Sequence, residues 1–190
     1  MKTKIKTSLA AILLLISCEK QNDVVNPAVN AQSTTNAVTV RYRVGDTLGG
    51  GIVFYVDSTR MHGLIAAFQN QGRAAWYNGV FTVTGATGSA IGTGALNTKK
   101  IVASQKVGRY AASLCTTYRG GGNTDWFLPS KAELNRLYLN RSVLTGITDF
   151  YYWSSTEVDS TKAWSQNFHN GAPSIKTKGG QFYVRAIRSF

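Results

Sequence analysis

The residues best suited to chemistry lie in Tyr151–Glu157, "YYWSSTE", where two serines, a threonine and a carboxylate follow three aromatics. Ser154 or Ser155 could act as a nucleophile only with a base in hydrogen-bond reach and a donor for the oxyanion. The chain has two histidines. His62 falls in a predicted hairpin turn and His169 in the turn-like "NFHNG". Neither lies in a hydrolase motif, and no G-x-S-x-G occurs. These histidines and Cys115 match no zinc spacing. Asn123, Asp125, Glu157 and Asp159 offer the oxygen atoms that calcium takes, but turn capping is the commoner use of such residues. "GTGALN" is not led into by a strand, so it does not read as a phosphate loop. The reading is therefore of a non-enzyme without a cofactor. "YYWSSTE" becomes architecture: Trp153 fills the core and the hydroxyls of Ser154, Ser155 and Thr156 satisfy loop backbone groups. Arg185 alternates with Tyr183 and Ile187. If buried it needs a carboxylate, Glu157 or Glu133.

The elements that position these residues follow from pattern. Ile52–Val56 is a buried strand, and the turn "DSTRMHG" leads to a second one at Leu64–Phe68, making a hairpin. Residues 70–98 read as loop. "NTKKIVASQ" is a short helix capped by Asn97 or Thr98. "GRYAASLCTTYR" is another, with Ala111, Leu114, Cys115 and Tyr118 on one face and "GGG" stopping it. Ser130 and Glu133 form a capping box before a third, whose buried stripe is Leu134, Leu137 and Tyr138. "YYWSSTE", "AWSQNF" and "GQFYVRAIRSF" have strand character, and Trp126, Trp153 and Trp164 read as core. Helices between early and late strands predict an α+β domain.

The chain of 190 residues suffices for one domain with a core, and its formal charge is +12. Lys2, Lys4 and Lys6 precede an apolar run, Leu9–Ile16, that is too short to span a bilayer. "LISC", Leu15–Cys18, resembles a bacterial lipobox. That resemblance implies a signal peptide over 1–17, acylation of Cys18, and a membrane anchor through its lipid chains. Glu19 after the cysteine implies an outer-membrane lipoprotein, facing the periplasm or the cell surface. The polar segment 18–39 reads as a flexible tether, and residues 40–190 as the folded domain. Without the leader the chain stays strongly basic, which suits sulphated or uronic-acid polysaccharides, lipopolysaccharide phosphates or released nucleic acid, with no specific nucleic-acid partner expected. With Cys18 acylated, Cys115 is the remaining thiol and no intramolecular disulfide forms.

The ordered phrases "GGGIVFYVD", "IGTGALNTKKIV", "AASLC", "GGNTDWFLPSKAELNRLY", "YYWSSTE", "AWSQNF", "NGAPSIKTKGG" and "YVRAIRSF" carry a resemblance. Over about Gly45 to Phe190 they resemble the C-terminal domain family of collagen-like bacterial adhesins, the Lcl C-terminal domain. The resemblance implies a C-type-lectin-like fold related to that of formylglycine-generating enzymes. Its expected form is two short-to-medium helices packed on antiparallel sheets with long loops. It also implies an extracytoplasmic adhesion module that binds an anionic glycan or, as the rival, another cell-surface protein in an assembly. The chain departs from relatives in lacking the collagen-like repeat. It has neither the WND nor the EPN tripeptide of calcium-dependent sugar sites, and no cysteine pair like that of the oxidase cousins. Lectin-like domains bind through long loops. The ligand-binding candidates are Arg73, Trp76, Tyr77, Lys99, Lys100, Arg119, Lys176 and Lys178, because cations suit sulphate or carboxylate and aromatics suit a sugar face.

Overall fold

A computed structural model describes residues 39–190. The predicted signal peptide, Cys18 and all but the last residue of the predicted tether lie outside the described residues.

Strands and helices are numbered here in chain order. Gly51–Val56 (β2) and Gly63–Ala67 (β3) form the predicted antiparallel hairpin. Thr47–Leu48 (β1) and the closing strand Ile187–Ser189 (β9) flank it, giving a four-stranded sheet of order β1-β2-β3-β9. The second sheet has five strands. It contains Arg73–Ala74 (β4), Tyr151–Glu157 (β5), Lys162–Asn167 (β6), Pro173–Thr177 (β7) and Phe182–Tyr183 (β8) in the order β4-β8-β5-β6-β7. The predicted all-antiparallel arrangement fails at one place: β5 and β8 run parallel. Three α-helices are present, the three that the pattern predicts and one more than the resemblance implied: Gly94–Gln105 (α1), Ala111–Thr117 (α2) and Lys131–Leu139 (α3). The domain is α+β, and two buried clusters form its core. One gathers Trp76, Trp126 and Trp153 with the buried faces of α1 and α2. The other gathers Phe54, Tyr152 and Phe168 with Leu134 and Leu137 of α3.

The capping box of α3 forms as predicted. Ser130 Oγ accepts the Glu133 N–H, and the Glu133 carboxylate accepts the Ser130 N–H at 2.7 Å. Helix α1 starts earlier than predicted, with Thr93 as the N-cap residue. Asn97 and Thr98 are buried inside it. The Asn97 amide is taken by the loop below: Nδ2 donates to the Gly88 carbonyl at 2.6 Å and Oδ1 accepts the Gly88 N–H. Trp164 is only half-buried, because Lys131 Nζ and not core packing covers its ring, 3.3 Å from the centroid.

β5 carries a bulge. Its register with β6 jumps from Trp153↔Ser165 to Glu157↔Ala163, so Ser154–Thr156 stand opposite Trp164 alone. The displaced backbone bonds outside the ladder. Ser155 N–H donates to the Pro129 carbonyl and Glu157 N–H to the Ala86 carbonyl. The hydroxyls serve the same region. Ser154 Oγ donates to the Trp164 carbonyl, and Thr156 Oγ1 accepts the Lys131 N–H and donates to the Gly88 carbonyl.

Residues 75–93 form a long loop fixed by two buried carboxylates. Glu157 accepts the N–H groups of Thr84 and Gly85 and an ion pair from Lys178 Nζ at 2.6 Å. Lys178 Nζ also donates to the Thr82 carbonyl at 2.9 Å and lies 4.5 Å from the Trp76 ring centroid. Glu133 accepts the Gly92 N–H at 2.7 Å. The expected partner of Glu157 was Arg185, and this is corrected. Arg185 is buried without a carboxylate, donating to Asn70 Oδ1 and to the carbonyls of Ala67 and Thr145. Three fixed oxygen dipoles replace the anion. Burial still pulls its pKa below the ordinary arginine value.

Removing one member of the Glu157–Lys178 pair strands the other in the core. Glu157→Gln and Lys178→Met should each lower unfolding stability by about 3–5 kcal/mol. The double variant should lose clearly less than the sum of the two singles in urea titration. Additive losses would show that the pair is not coupled.

Candidate functional site

The predicted ligand residues separate into buried and surface groups. Trp76 is fully buried: its Nε1–H donates to the Ser154 carbonyl at 2.8 Å, so it cannot stack on a ligand. Lys178 is equally buried in its ion pair and cannot meet a ligand either. Trp76 belongs to the long loop but turns its ring into the core, and Lys178 lies beneath that loop. Sequence spacing gave no sign of this because their partners lie in distant segments.

The other six reach the surface. Tyr77 is half-buried and stacks on Phe81, with ring centroids 4.6 Å apart. Lys99 and Lys100 are exposed on α1, and Lys100 Nζ donates to the Gly85 carbonyl. Arg119 is exposed past α2 and donates to the carbonyls of Thr116 and Tyr118, which caps the helix end.

Arg73 and Lys176 belong to a different arrangement. They come from opposite sides of the five-stranded sheet and meet aromatics at one end of β5. The Arg73 guanidinium lies 4.8 Å from the Phe150 ring centroid and 5.8 Å from that of Tyr183, while its Nε–H donates to the Gln181 carbonyl. Lys176 Nζ lies 4.4 Å from the Tyr151 centroid. Phe150, Tyr151, Phe182 and Tyr183 contact one another with centroids 5.3–6.3 Å apart. Phe150 is 38% exposed, so part of an aromatic face remains open to solvent. The sequence reading placed Trp153 in the core, left Tyr151 unassigned and missed this strip. Tyr151 stays half-buried because it is the first residue of β5, while the rest of that strand is buried. Chemically, the strip offers flat apolar faces beside fixed cations, which suits a ring-shaped ligand bearing negative groups.

A separate cleft of about 390 Å³ opens between α3 and β5–β7, and Lys131, Asn135, Ser154 and Gln166 line it. Its polar side chains are largely engaged with one another or with backbone: Gln166 Nε2 donates to Asn135 Oδ1 and to the Gly171 carbonyl.

The serine and calcium arrangements weighed from sequence do not assemble. Ser154 and Ser155 hydrogen-bond to structure, Ser155 Oγ accepting from Asn97 Nδ2. His62 and His169 stay on exposed turns, and the nearest carboxylate to His169 is Asp149 at 4.0 Å. Asp125 pairs with Arg188, Glu157 with Lys178, and Asp159 closes its own turn on Thr161. Among the described residues no group of three or more His, Cys, Asp or Glu could hold a metal.

Two titrations follow. Cys115 is fully buried and burial pushes its thiol well up, so it should not react with a thiol reagent until the domain unfolds. Burial also raises Glu133 above its ordinary value of 4.5, against the N–H donors of Ser130, Gly92 and Gly94, which favour the charged form. The folded chain therefore holds this proton more tightly than the unfolded chain. Stability from this group is complete below about pH 4.5 and declines as pH rises through the raised value. Urea midpoints measured from pH 4 upward should show that decline, and Glu133→Gln should flatten it.

Comparison with known proteins fixes the family. The Lcl C-terminal domain matches residues 70–188. A fimbrial protein from Bacteroides ovatus ATCC 8483 has a similar solved structure, with TM-score 0.51 and 15% identity. The alignment covers 80% of this chain and 45% of that one, so the chain spans less than half the length of the fimbrial protein. At this identity the likeness speaks for the fold alone. No curated protein matches the chain. The family match takes in the loop, the helices and the five-stranded sheet with its aromatic strip, and the chain belongs to the Lcl C-terminal domain family.

Proposed function

We propose that this chain is an adhesion-related surface module that binds an anionic glycan through the strip of Arg73, Phe150, Tyr151, Lys176 and Tyr183. The observation that carries this reading is the seating of Arg73 over exposed Phe150 and of Lys176 over half-buried Tyr151. Sulphate or uronate groups pair with the cations while the sugar face lies on the rings. Family membership supports the adhesion part. The Bacteroides neighbour, described as a fimbrial protein, fits a surface role. The fold is read as C-type-lectin-like, with a long loop fixed on a two-sheet α+β scaffold. The chain binds and does not catalyse. It is anchored through an acylated Cys18 at the outer membrane and faces the periplasm or the cell surface.

One observation favours a second reading, assembly with another surface protein. Among the described residues β7 is an edge of its sheet, pairs only with β6, and exposes Ile175.

The test is binding of the chain from Glu19 to Phe190 to immobilised heparin and to a panel of sulphated, uronic-acid and neutral glycans. Binding should be confined to the anionic members and should weaken steeply between low and physiological salt. Arg73→Ala and Lys176→Ala should each weaken it about tenfold, equivalent to ~1.4 kcal/mol, with Lys162→Ala as an inert control. A blank panel at low salt would overturn the glycan reading. Crosslinking on intact cells that depends on Ile175 would then favour assembly.

A further inference from the structure

Between Asp57 and Asp125 the chain carries seven lysines and arginines and no acidic residue. This stretch includes the 75–93 loop, α1 and α2. On its surface stand four apolar side chains of high exposure: Val80 at 69%, Phe81 at 47%, Val83 at 66% and Val107 at 97%. Hydrogen bonds hold their segments side by side. Asn78 Nδ2 donates to the Val107 carbonyl at 2.7 Å, Gln105 Oε1 accepts the Asn78 N–H at 2.7 Å, and Lys100 Nζ donates to the Gly85 carbonyl at 2.8 Å. The tips are presented by a fixed backbone. Behind Val83 the loop is tied by Glu157 and Lys178 through Thr82, Thr84 and Gly85. Lys106, just after α1, takes a left-handed backbone conformation at φ 61°, an unfavourable one for a lysine, and Val107 follows it into solvent. Phe81 is stacked on Tyr77 and so kept from folding inward.

Apolar tips on a held loop beside cations, with no acid in the same stretch of chain, match the chemistry of a lipid surface. Apolar tips enter the headgroup–acyl boundary while lysines and arginines meet anionic headgroups. We infer that Val80, Phe81, Val83 and Val107, with Lys100, Lys106 and Arg109, form a docking surface for a membrane rich in anionic phosphate headgroups. Charge complementarity selects this occupant: the segment is uniformly positive, and its apolar members are separate exposed side chains. Arg109 Nη1 donates to the Arg73 carbonyl, so this surface adjoins the Arg73–Lys176 strip, and it serves to lay the domain on a bilayer.

The experiment uses the chain from Glu19 to Phe190, which lacks the leader and the acylable cysteine, with vesicles of phosphatidylcholine alone or containing one-third phosphatidylglycerol. Co-sedimentation should occur with the anionic vesicles and not with the neutral ones. Val80→Ser/Val83→Ser should reduce it at least fivefold, as should Lys106→Glu, and both should leave heparin binding unchanged. Val107→Trp, at a nearly fully exposed position, adds a reporter whose emission should shift to the blue on anionic vesicles. Absent sedimentation, an unshifted Val107→Trp signal, or binding indifferent to the serine substitutions would each overturn the inference. Because heparin binding is read on the same proteins, failure of this surface and failure of the glycan strip remain separable. A patch needed for cell-surface crosslinking but silent on vesicles would assign it to a protein partner instead.

Discussion

The buried pair of Glu157 and Lys178 is the constraint on which the surface of this domain depends. Two charges removed from water need nearly every lone pair and proton satisfied, or the burial costs several kcal/mol. Here the satisfaction comes from a loop. The carboxylate takes the N–H groups of Thr84 and Gly85, and the ammonium takes the Thr82 carbonyl. Loop and pair are therefore mutually required: the charges are tolerable only with the loop in place, and the loop has a defined path only because the charges demand it. Among the described residues no buried side-chain polar atom lacks a partner. A long segment without regular structure can thus be as fixed as a strand.

The bulge in β5 explains why serines and a threonine sit beside that pair. Ser154–Thr156 oppose a single residue of β6, so their backbone groups leave the ladder and turn to neighbouring segments. Short hydroxyl side chains can bond within such a turn without needing room. A run that resembles a hydrolase site is in this way the signature of backbone accounting. The same logic covers "PSKAE", where Ser130 and Glu133 cap α3 and also hold Ala90 and Gly92 of the loop. Glu157 grips the middle of the loop and the Ser130–Glu133 box grips its end.

Local features were legible in the sequence for a physical reason. The hairpin, the Ser130–Glu133 box and the strand character of 151–157 depend on neighbours a few residues away, so spacing alone defines them. The sites that were misread depend on long-range closure. Trp76 finds its indole acceptor 78 residues on, at Ser154, and Lys178 finds Glu157 across a strand pair, 21 residues back. A lysine's type signals solvent unless its partner is known. Arg185 shows the reverse error. The alternation with Tyr183 and Ile187 allowed for burial, but it could not name the partner, since carbonyl oxygens leave no trace in a side-chain pattern. Asn97 looked like a helix cap because caps and loop anchors use the same amide chemistry.

The positive charge of the chain then divides by burial. Lys178 and Arg185 are cations used up as structure. Arg73 and Lys176 are held over rings at one end of the sheet, and the lysines of α1 stand beside an exposed apolar tip. Only the exposed sets can act over distance, and each is combined with a different apolar partner. Flat aromatic faces with seated cations favour a rigid, ring-bearing anion. Three valine tips beside one phenylalanine give no extended face to stack on, but they bury readily in a disordered apolar boundary. Net charge alone could not distinguish these uses. The apolar group placed beside each charge does, because it determines what shape of anion can also bury carbon.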